Sequence, residues 1–322
     1  MKYTYLYHCA RGSDLDECVF LGMRYLTKYG AQPGLMDSWV LRSSVPSAPG
    51  KAGIKPCHGA ERWFVGLWRS PTDRLYVAEL NGKARVCEFD GMAASANWQK
   101  FEFPGCTFRG VFGVDDRSVF LTGKKALDPA VLFWDGKAWT ELPPPPGEIQ
   151  WMHGRSPDAM IGVGPKGLLT RWNGASWQKI PLPTQEFLTS VWVESSDEMY
   201  AVGHGGVLWE GSGTGWGKVA EGAGPFYGVA KFAGEVFVGA KEHGILKRVR
   251  DRMETANAEI HGQILHVGKA LVISCPEEIA ATSDGKAFRS KGRGTMQKVL
   301  DDKPTIFPEP PDDDEDDEDA SP

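Results

Sequence analysis

The chain has 322 residues, a formal net charge of −6, 41% hydrophobic and 24% charged residues, a globular balance that excludes a wholly disordered chain. It contains no uninterrupted apolar run of the roughly eighteen residues that a membrane-spanning helix needs. Thirty-nine glycines and twelve tryptophans point to a turn-rich chain packed by aromatics.

In chain order, the amino end offers three strand candidates, Tyr3–Tyr7, Cys18–Leu21 and Trp39–Leu41. Its apolar stretch is broken by Arg11, Asp14 and Asp16, too early for a secretory signal, so a cytoplasmic location is expected. The six cysteines (Cys9, Cys18, Cys57, Cys87, Cys106 and Cys275) form no CxxC pair and are expected as free thiols, and no zinc spacing is present.

From about residue 62 to 290 the same order of words recurs six times. Each copy opens on an apolar strand, with first residues Phe64, Phe108, Ile149, Leu188, Phe226 and Ile264, at steps of 44, 41, 39, 38 and 38 residues. A polar turn and a β-rich strand follow, as in Leu75-Tyr76-Val77, Val119-Phe120-Leu121 and Val236-Phe237-Val238. A third word is a tight turn before a bulky residue: Asp135-Gly136 before Trp139, Asn173-Gly174 before Trp177, Gly213-Thr214-Gly215 before Trp216, Asp284-Gly285 before Phe288. Trp98 and Met253 hold that place in the other two copies. Asp-Gly and Asn-Gly supply the positive φ of tight hairpins, and the aromatic is placed to pack on a neighbouring copy.

A period near forty residues with several strands per copy predicts an all-β β-propeller. One blade cannot bury its own face, so copies stack and close into a ring. We read seven blades over residues 1–307. Six are the clear repeats, and the last is built from the amino-terminal strands together with Thr295–Leu300, a strand candidate, so that both termini close the ring. The alternative is six blades with an irregular amino-terminal cap.

Beyond Pro308, the segment Glu309–Pro322 carries nine acids and no base, which leaves +3 on residues 1–308. Eight consecutive acids repel one another and bury nothing, so 308–322 is expected to be a disordered acidic tail. It would serve solubility or act as an electrostatic arm for a basic partner.

The words Val191-Trp192-Val193-Glu194-Ser195-Ser196-Asp197-Glu198-Met199-Tyr200-Ala201-Val202-Gly203 and Leu132-Phe133-Trp134-Asp135-Gly136-Lys137-Ala138-Trp139 resemble bacterial YVTN/BNR-like propeller repeats. The resemblance covers about 230 residues and implies fold rather than function. The Asp-boxes of related sialidases are not matched, since Ser283-Asp284-Gly285 lacks an intervening residue; nor does a Trp-Asp dipeptide close each blade as in WD repeats. No catalytic residue is transferred.

Opening strands of propeller blades line the central channel, and alternation turns only some positions toward it. Their second column reads Val65, Arg109, Gln150, Thr189, Tyr227, Leu265, and their fifth Trp68, Phe112, His153, Trp192, Ala230, Gly268. Residues that break a repeat serve sites, whereas residues that keep it serve the fold. The candidate partner-binding residues are therefore Arg109, Gln150, His153, Thr189, Trp192, Tyr227 and Trp68, against the plainer reading that the aromatics fill space between blades. Asp73, Asp115, Asp116, Asp158 and Asp197 recur before the second strands and read as turn residues. His204 and His243 stand at corresponding hairpins, too far apart to share a metal. Pro143–Pro146 reads as a rigid connector between blades.

The expectation is a noncatalytic protein-binding scaffold, an adaptor or an immunity-type protein, with a partner protein of basic character. No catalytic residue, metal or cofactor is expected. The alternative is a carbohydrate-active enzyme, a glycan hydrolase or lyase, which needs paired acids about 5–10 Å apart in the funnel. A nucleic-acid ligand is disfavoured, because the tail opposes phosphate.

Overall fold

Seven consecutive stretches of the chain each fold into a four-stranded antiparallel meander, with strands hydrogen-bonded in sequence order. In this computed structural model, residues 2–32, 34–47, 53–88, 97–212 and 215–306 are described. Blades 1 to 7 occupy residues 3–60, 64–102, 106–141, 151–179, 188–221, 228–257 and 264–292. A parallel bridge, Glu221 to Arg252, ties the outer edges of blades 5 and 6.

The first strands of the blades are Tyr3–Asp14, Phe64–Arg69, Cys106–Asp115, Trp151–Gly154, Leu188–Ser195, Gly228–Phe232 and Ile264–Val267. Each touches the first strand of both neighbours, including Tyr3–Asp14 against Ile264–Val267, so the ring is closed. The fold is the expected propeller, with the expected seven blades.

The core lies between blades rather than within them. Val19 and Leu21 of blade 1 meet Leu67 and Val77 of blade 2. Tyr76 and Val86 of blade 2 meet Val119 and Leu121 of blade 3. Phe120 meets Met152 and Trp172 across the next interface, and Ile161 meets Val191 and Trp209 across the one after. Phe120 and Phe237 are wholly buried, and truncating either to alanine would cost about 3–5 kcal/mol. Each blade therefore depends on its neighbours for burial, which is why the repeat has to close.

The turns before the bulky residues follow their chemistry. Asp135 Oδ1 accepts from the amides of Lys137 and Ala138, both at 2.8 Å. Asn173 accepts from Ala175 and Ser176, and Asp284 from Lys286 and Ala287. The glycines that follow have φ of 95°, 89° and 72°, a region open to glycine without a Cβ penalty. These amide bonds hold the Asp135 and Asp284 carboxyls below the usual range. Trp139 then packs edge-on against Phe101 of the preceding blade and Phe103 just after it. Trp98 packs on His58 of blade 1.

Ring closure differs from the expectation. Among the described residues no blade is shared between the termini: strands within the first sixty residues build a complete blade of their own. Its fourth strand, Ile54–Ala60, contains Pro56, a residue tolerated because this is a sheet edge. Thr295–Leu300 is not a strand but part of a helix, α1 (Arg293–Leu300). Met296 and Leu300 stand four residues apart on one face, wholly buried against Tyr5, Tyr7, Phe20 and Leu41. The helix thus straps blade 1 rather than adding to blade 7. The acidic segment 308–322 lies outside the described residues.

Candidate functional site

The first strands run in the same sense around the axis, so their starts form one channel mouth and their ends the other. The seven candidate residues divide between these mouths. Arg109, Gln150, Thr189 and Tyr227 line a cavity of about 230 Å³ at the starts, together with Val65. Trp68 and His153 border a broader depression of about 540 Å³ at the ends, and Trp192 packs against His153 there. Columns two and five lie three residues apart, about 10 Å along a strand, which separates the candidates of the two columns, although Phe112 of the fifth column also reaches the cavity at the starts.

The mouth at the strand starts gathers the departures from the repeat. Arg109 Nε donates to Glu148 Oε1 at 2.7 Å, and Lys124 Nζ lies 2.8 Å from the other oxygen. Burial raises the Glu148 carboxyl, but these two cations outweigh it and hold it below the usual range. The Thr189 hydroxyl is within hydrogen-bond distance of the Val202 and Phe226 carbonyls, so it fixes backbone. The Tyr227 ring lies 5.7 Å from that of His204, which stacks on Phe187 at 5.1 Å.

Blade 7 departs from the sequence frame by two residues. Gln150, Tyr227 and Gln263 donate their amides to Val163, Gly239 and Ser274 in the same way. Gln263, not Leu265, therefore holds the second column, and Leu265 is buried in the core of blades 5 to 7. The misreading has a physical origin. The position equivalent to Phe226 is Gly262, where even a Cβ would come within 2.4 Å of Ile245 and 2.6 Å of Ile273. The apolar word is missing because neighbouring isoleucines already fill its place.

Deeper in the same cavity are His8 and Arg11, which sequence reasoning missed. They lie in blade 1, which shows no recognisable repeat word, so no register pointed to them. The strand bulges between His8 and Arg11, where Cys9 takes φ 53°. Arg11 is 5% exposed; its Nη1 donates to the Ala10 carbonyl at 2.9 Å, and its guanidinium lies over Trp151 at 5.5 Å. Burial, with help from Arg11, lowers His8. Burial together with Arg155 and Arg11 lowers His153 to about 3. Burial, Arg11, His153 and Arg69 lower His266 to about 3. At neutral pH these three imidazoles are uncharged, and Arg11 is the charge they surround.

At the opposite mouth the aromatics are built into the walls. The His153 ring stacks on Trp192 at 4.4 Å, and its Nδ1 accepts from the Val193 amide at 2.9 Å. Arg155 lies over Trp192 and pairs with Glu194, which also accepts from Trp192 Nε1. Trp68 packs over Gly113, where a Cβ would stand 2.7 Å from the indole. The two acids bordering this mouth, Glu17 and Asp73, are both tied to Arg69 at 2.6 Å.

Among the described residues, no group of three or more His, Cys, Asp or Glu is arranged to hold a metal ion. Cys9, Cys18, Cys57, Cys106 and Cys275 are free thiols. Burial pushes Cys18 up to about 12 and Cys275 to about 11, so neither is a ready nucleophile.

No protein-family model and no curated protein matches the chain. Solved propellers do. The chain is similar to the WD40 β-propeller domain of Doa1, at 8% identity and a TM-score of 0.63, over 92% of this chain and 99% of that one. It is similar to YCF48 from Cyanidioschyzon merolae at 13% identity and a TM-score of 0.54, over 72% and 85% of the two chains. It is also similar to YCF48 bound to D1 peptide, at 12% identity and a TM-score of 0.55, over 71% and 81%. At these identities the likeness is one of fold.

Proposed function

We propose that the chain is a noncatalytic protein-binding propeller of YVTN/BNR-like type, an adaptor or immunity-type protein, whose partner docks on the mouth formed by the starts of the first strands. One observation carries this reading. Side chains that break the repeat, from different blades, converge there on one cavity: Arg109, Gln150, Tyr227 and Gln263, with His204 beside them. Tyr and Arg are enriched at binding hot spots, and the small cavity suits a side chain of a docked segment rather than a large ligand. A propeller of similar fold, YCF48, has been captured with a peptide, which supports peptide recognition as a use of the architecture. The acidic segment after Pro308 suits a partner with a basic region, which it would attract over distance.

The enzymatic alternative needs two carboxylates facing one another across a cavity. Among the described residues, those lining the cavity at the strand starts include neither Asp nor Glu, so this geometry favours binding over glycan hydrolysis.

The test uses three baits in lysate from the native host: the full chain, the chain ending at residue 307, and the full chain with Arg109→Glu and Tyr227→Ala. The full chain is expected to retain a specific partner that the mouth variant loses, and tail removal is expected to weaken capture most at low salt. Equal retention by the mouth variant would move the interface elsewhere. Recovery of nothing specific by either the full or the shortened chain would sink the binding reading.

A further inference from the structure

Arg11 is a buried cation in the channel wall, 5% exposed. A guanidinium buried to this degree is expected to face a carboxylate, because an unpaired buried charge is costly. Here, among the described residues, none is paired with it. Its Nη1 is committed to the Ala10 carbonyl, and one ring face of Trp151 covers it. The other edge, Nε with Nη2, meets no internal acceptor among the described residues, and the side chain lines the 230 Å³ cavity. Nε and Nη2 form the fork that matches a planar carboxylate through two parallel hydrogen bonds.

We infer that Arg11 anchors a binding site for one carboxylate group inside the channel, reached through the mouth that carries Gln150, Tyr227 and Gln263. The charge balance selects a monoanion. Arg109 is engaged by Glu148, which it shares with Lys124 outside the cavity lining, and His8, His153 and His266 are held neutral, so Arg11 is the one cation of the cavity lining with no carboxylate partner among the described residues. A phosphate dianion would need a second cation. Gln150 and Gln263 line the same cavity and carry amide donors suited to the outer side of such a ligand. The cavity admits the carboxylate of a small free acid or the carboxy-terminus of an extended peptide. The site does not rest on the protein-docking reading, since a free acid fills it with no partner present.

The experiment follows the histidine ring resonances of the full chain, labelled with [13C]histidine, during titration with sodium acetate against sodium chloride of equal ionic strength. His8 and His153 are assigned by His→Gln variants. Acetate is expected to shift both saturably in the millimolar range, while chloride and phosphate do not. Arg11→Met is expected to weaken acetate binding by roughly ten- to a hundredfold, the usual loss of a charged hydrogen-bonding partner. Arg11→Lys keeps the charge without the fork, is a milder test of folding, and is expected to weaken binding less. A triglycine titration, with its carboxy-amide as control, then separates the two sources: tighter binding of triglycine than of acetate assigns the site to a peptide terminus, and tighter binding of acetate assigns it to a small acid. No saturable response to either probe, an equal response to chloride or phosphate, or unchanged acetate binding in both Arg11 variants would overturn the site.

Discussion

Arg24 and Asp37 face each other directly across the second and third strands of blade 1, 2.6 Å apart and only 2% and 0% exposed. This pair is the clasp of the carboxy-terminal strap. Arg24 Nη1 donates to the carbonyls of Leu300 at 2.7 Å and Lys303 at 3.0 Å, and Nη2 to Pro304 at 2.9 Å. These carbonyls lie at and just beyond the end of α1, where a helix leaves its acceptors unmet. Asp37 accepts in turn from Trp39 Nε1 at 2.9 Å and the Ile306 amide at 3.4 Å. Tyr5 and Tyr7 add hydroxyl bonds to Asp301 and the Gly292 carbonyl. Blade 1, which has no repeat word, is thus held by the segment that follows blade 7.

Arg24→Met strands the Asp37 carboxylate in the interior. Breaking one half of a buried pair typically costs about 3–5 kcal/mol. Urea unfolding should show a loss of that size, and hydrogen exchange should show the amides of residues 296–306 opening before those of blades 3 to 5. Arg24→Lys keeps the charge but cannot reach three carbonyls at once, so an intermediate loss is expected. Loss of stability with unchanged protection of 296–306 would contradict the clasp.

What the sequence disclosed follows from periodicity. Asp135, Asn173 and Asp284 recur in one setting because each makes the same turn, so they could be aligned without coordinates. Arg109, Gln150, Thr189 and Tyr227 could be placed in the channel because the apolar opening word gives their blades a common frame, although Arg109 and Thr189 stand at register shifts of their strands. Arg11 was invisible for the opposite reason: its blade has no repeat word, so no frame pointed to it. Gly262 hid the frame of blade 7 because its place is filled by side chains from other strands. The helix at Arg293–Leu300 is short, and its two buried positions, four apart, fit a strand as well when the surface they cover is unknown.

Gly228 tests how tightly the ring closes. A Cβ there would lie 2.4 Å from the backbone carbonyl oxygen of Gln263 in the next blade. Backbone on both sides leaves no flexible side chain to yield, so Gly228→Ala must push blades 6 and 7 apart. Overpacking of this kind costs about 1–3 kcal/mol, to be measured by urea unfolding. Gly217→Ala is the control, because nothing lies within 4 Å of its Cβ position, and its effect is expected to stay within about 0.5 kcal/mol.

Acid should weaken the fold through its buried imidazoles before it protonates the carboxylates. Burial first, then Arg155 and Arg11, lower His153 to about 3; burial, Arg11, His153 and Arg69 do the same for His266. Burial, Arg85 and Lys100 lower His58 to about 4. The unfolded chain takes up these protons near pH 6.5, so between that pH and the folded values it binds more protons than the native state. Stability from these groups is therefore full above about pH 6.5 and falls as the pH drops toward 3, by up to about 1.4 kcal/mol per pH unit for each histidine. Urea midpoints at pH 7, 6 and 5 should decline, and His153→Gln should flatten the decline. A flat profile in the unaltered chain would refute the neutral-imidazole channel.

Arg11→Met makes a prediction about stability that is separate from its loss of carboxylate binding. In chloride buffer free of carboxylates, the substitution removes a buried cation with no internal partner and leaves an unbranched apolar chain against Trp151. Replacing buried charge by apolar volume is often neutral or stabilising, and the contact with the indole returns only about 0.5–2 kcal/mol. The variant is expected to be as stable as the parent, or more stable by about 1–2 kcal/mol, at pH 7. It should also lose less stability on acidification, because Arg11 contributes to the lowering of His8, His153 and His266, and without it their folded values move back toward the ordinary one. Acetate should reverse the ranking by stabilising only the parent, since a ligand that binds the native state alone adds stability in proportion to its occupancy. A drop of about 3 kcal/mol in chloride would mean that Arg11 has a structural acceptor in the fold, and would count against both the stability argument and the anion site.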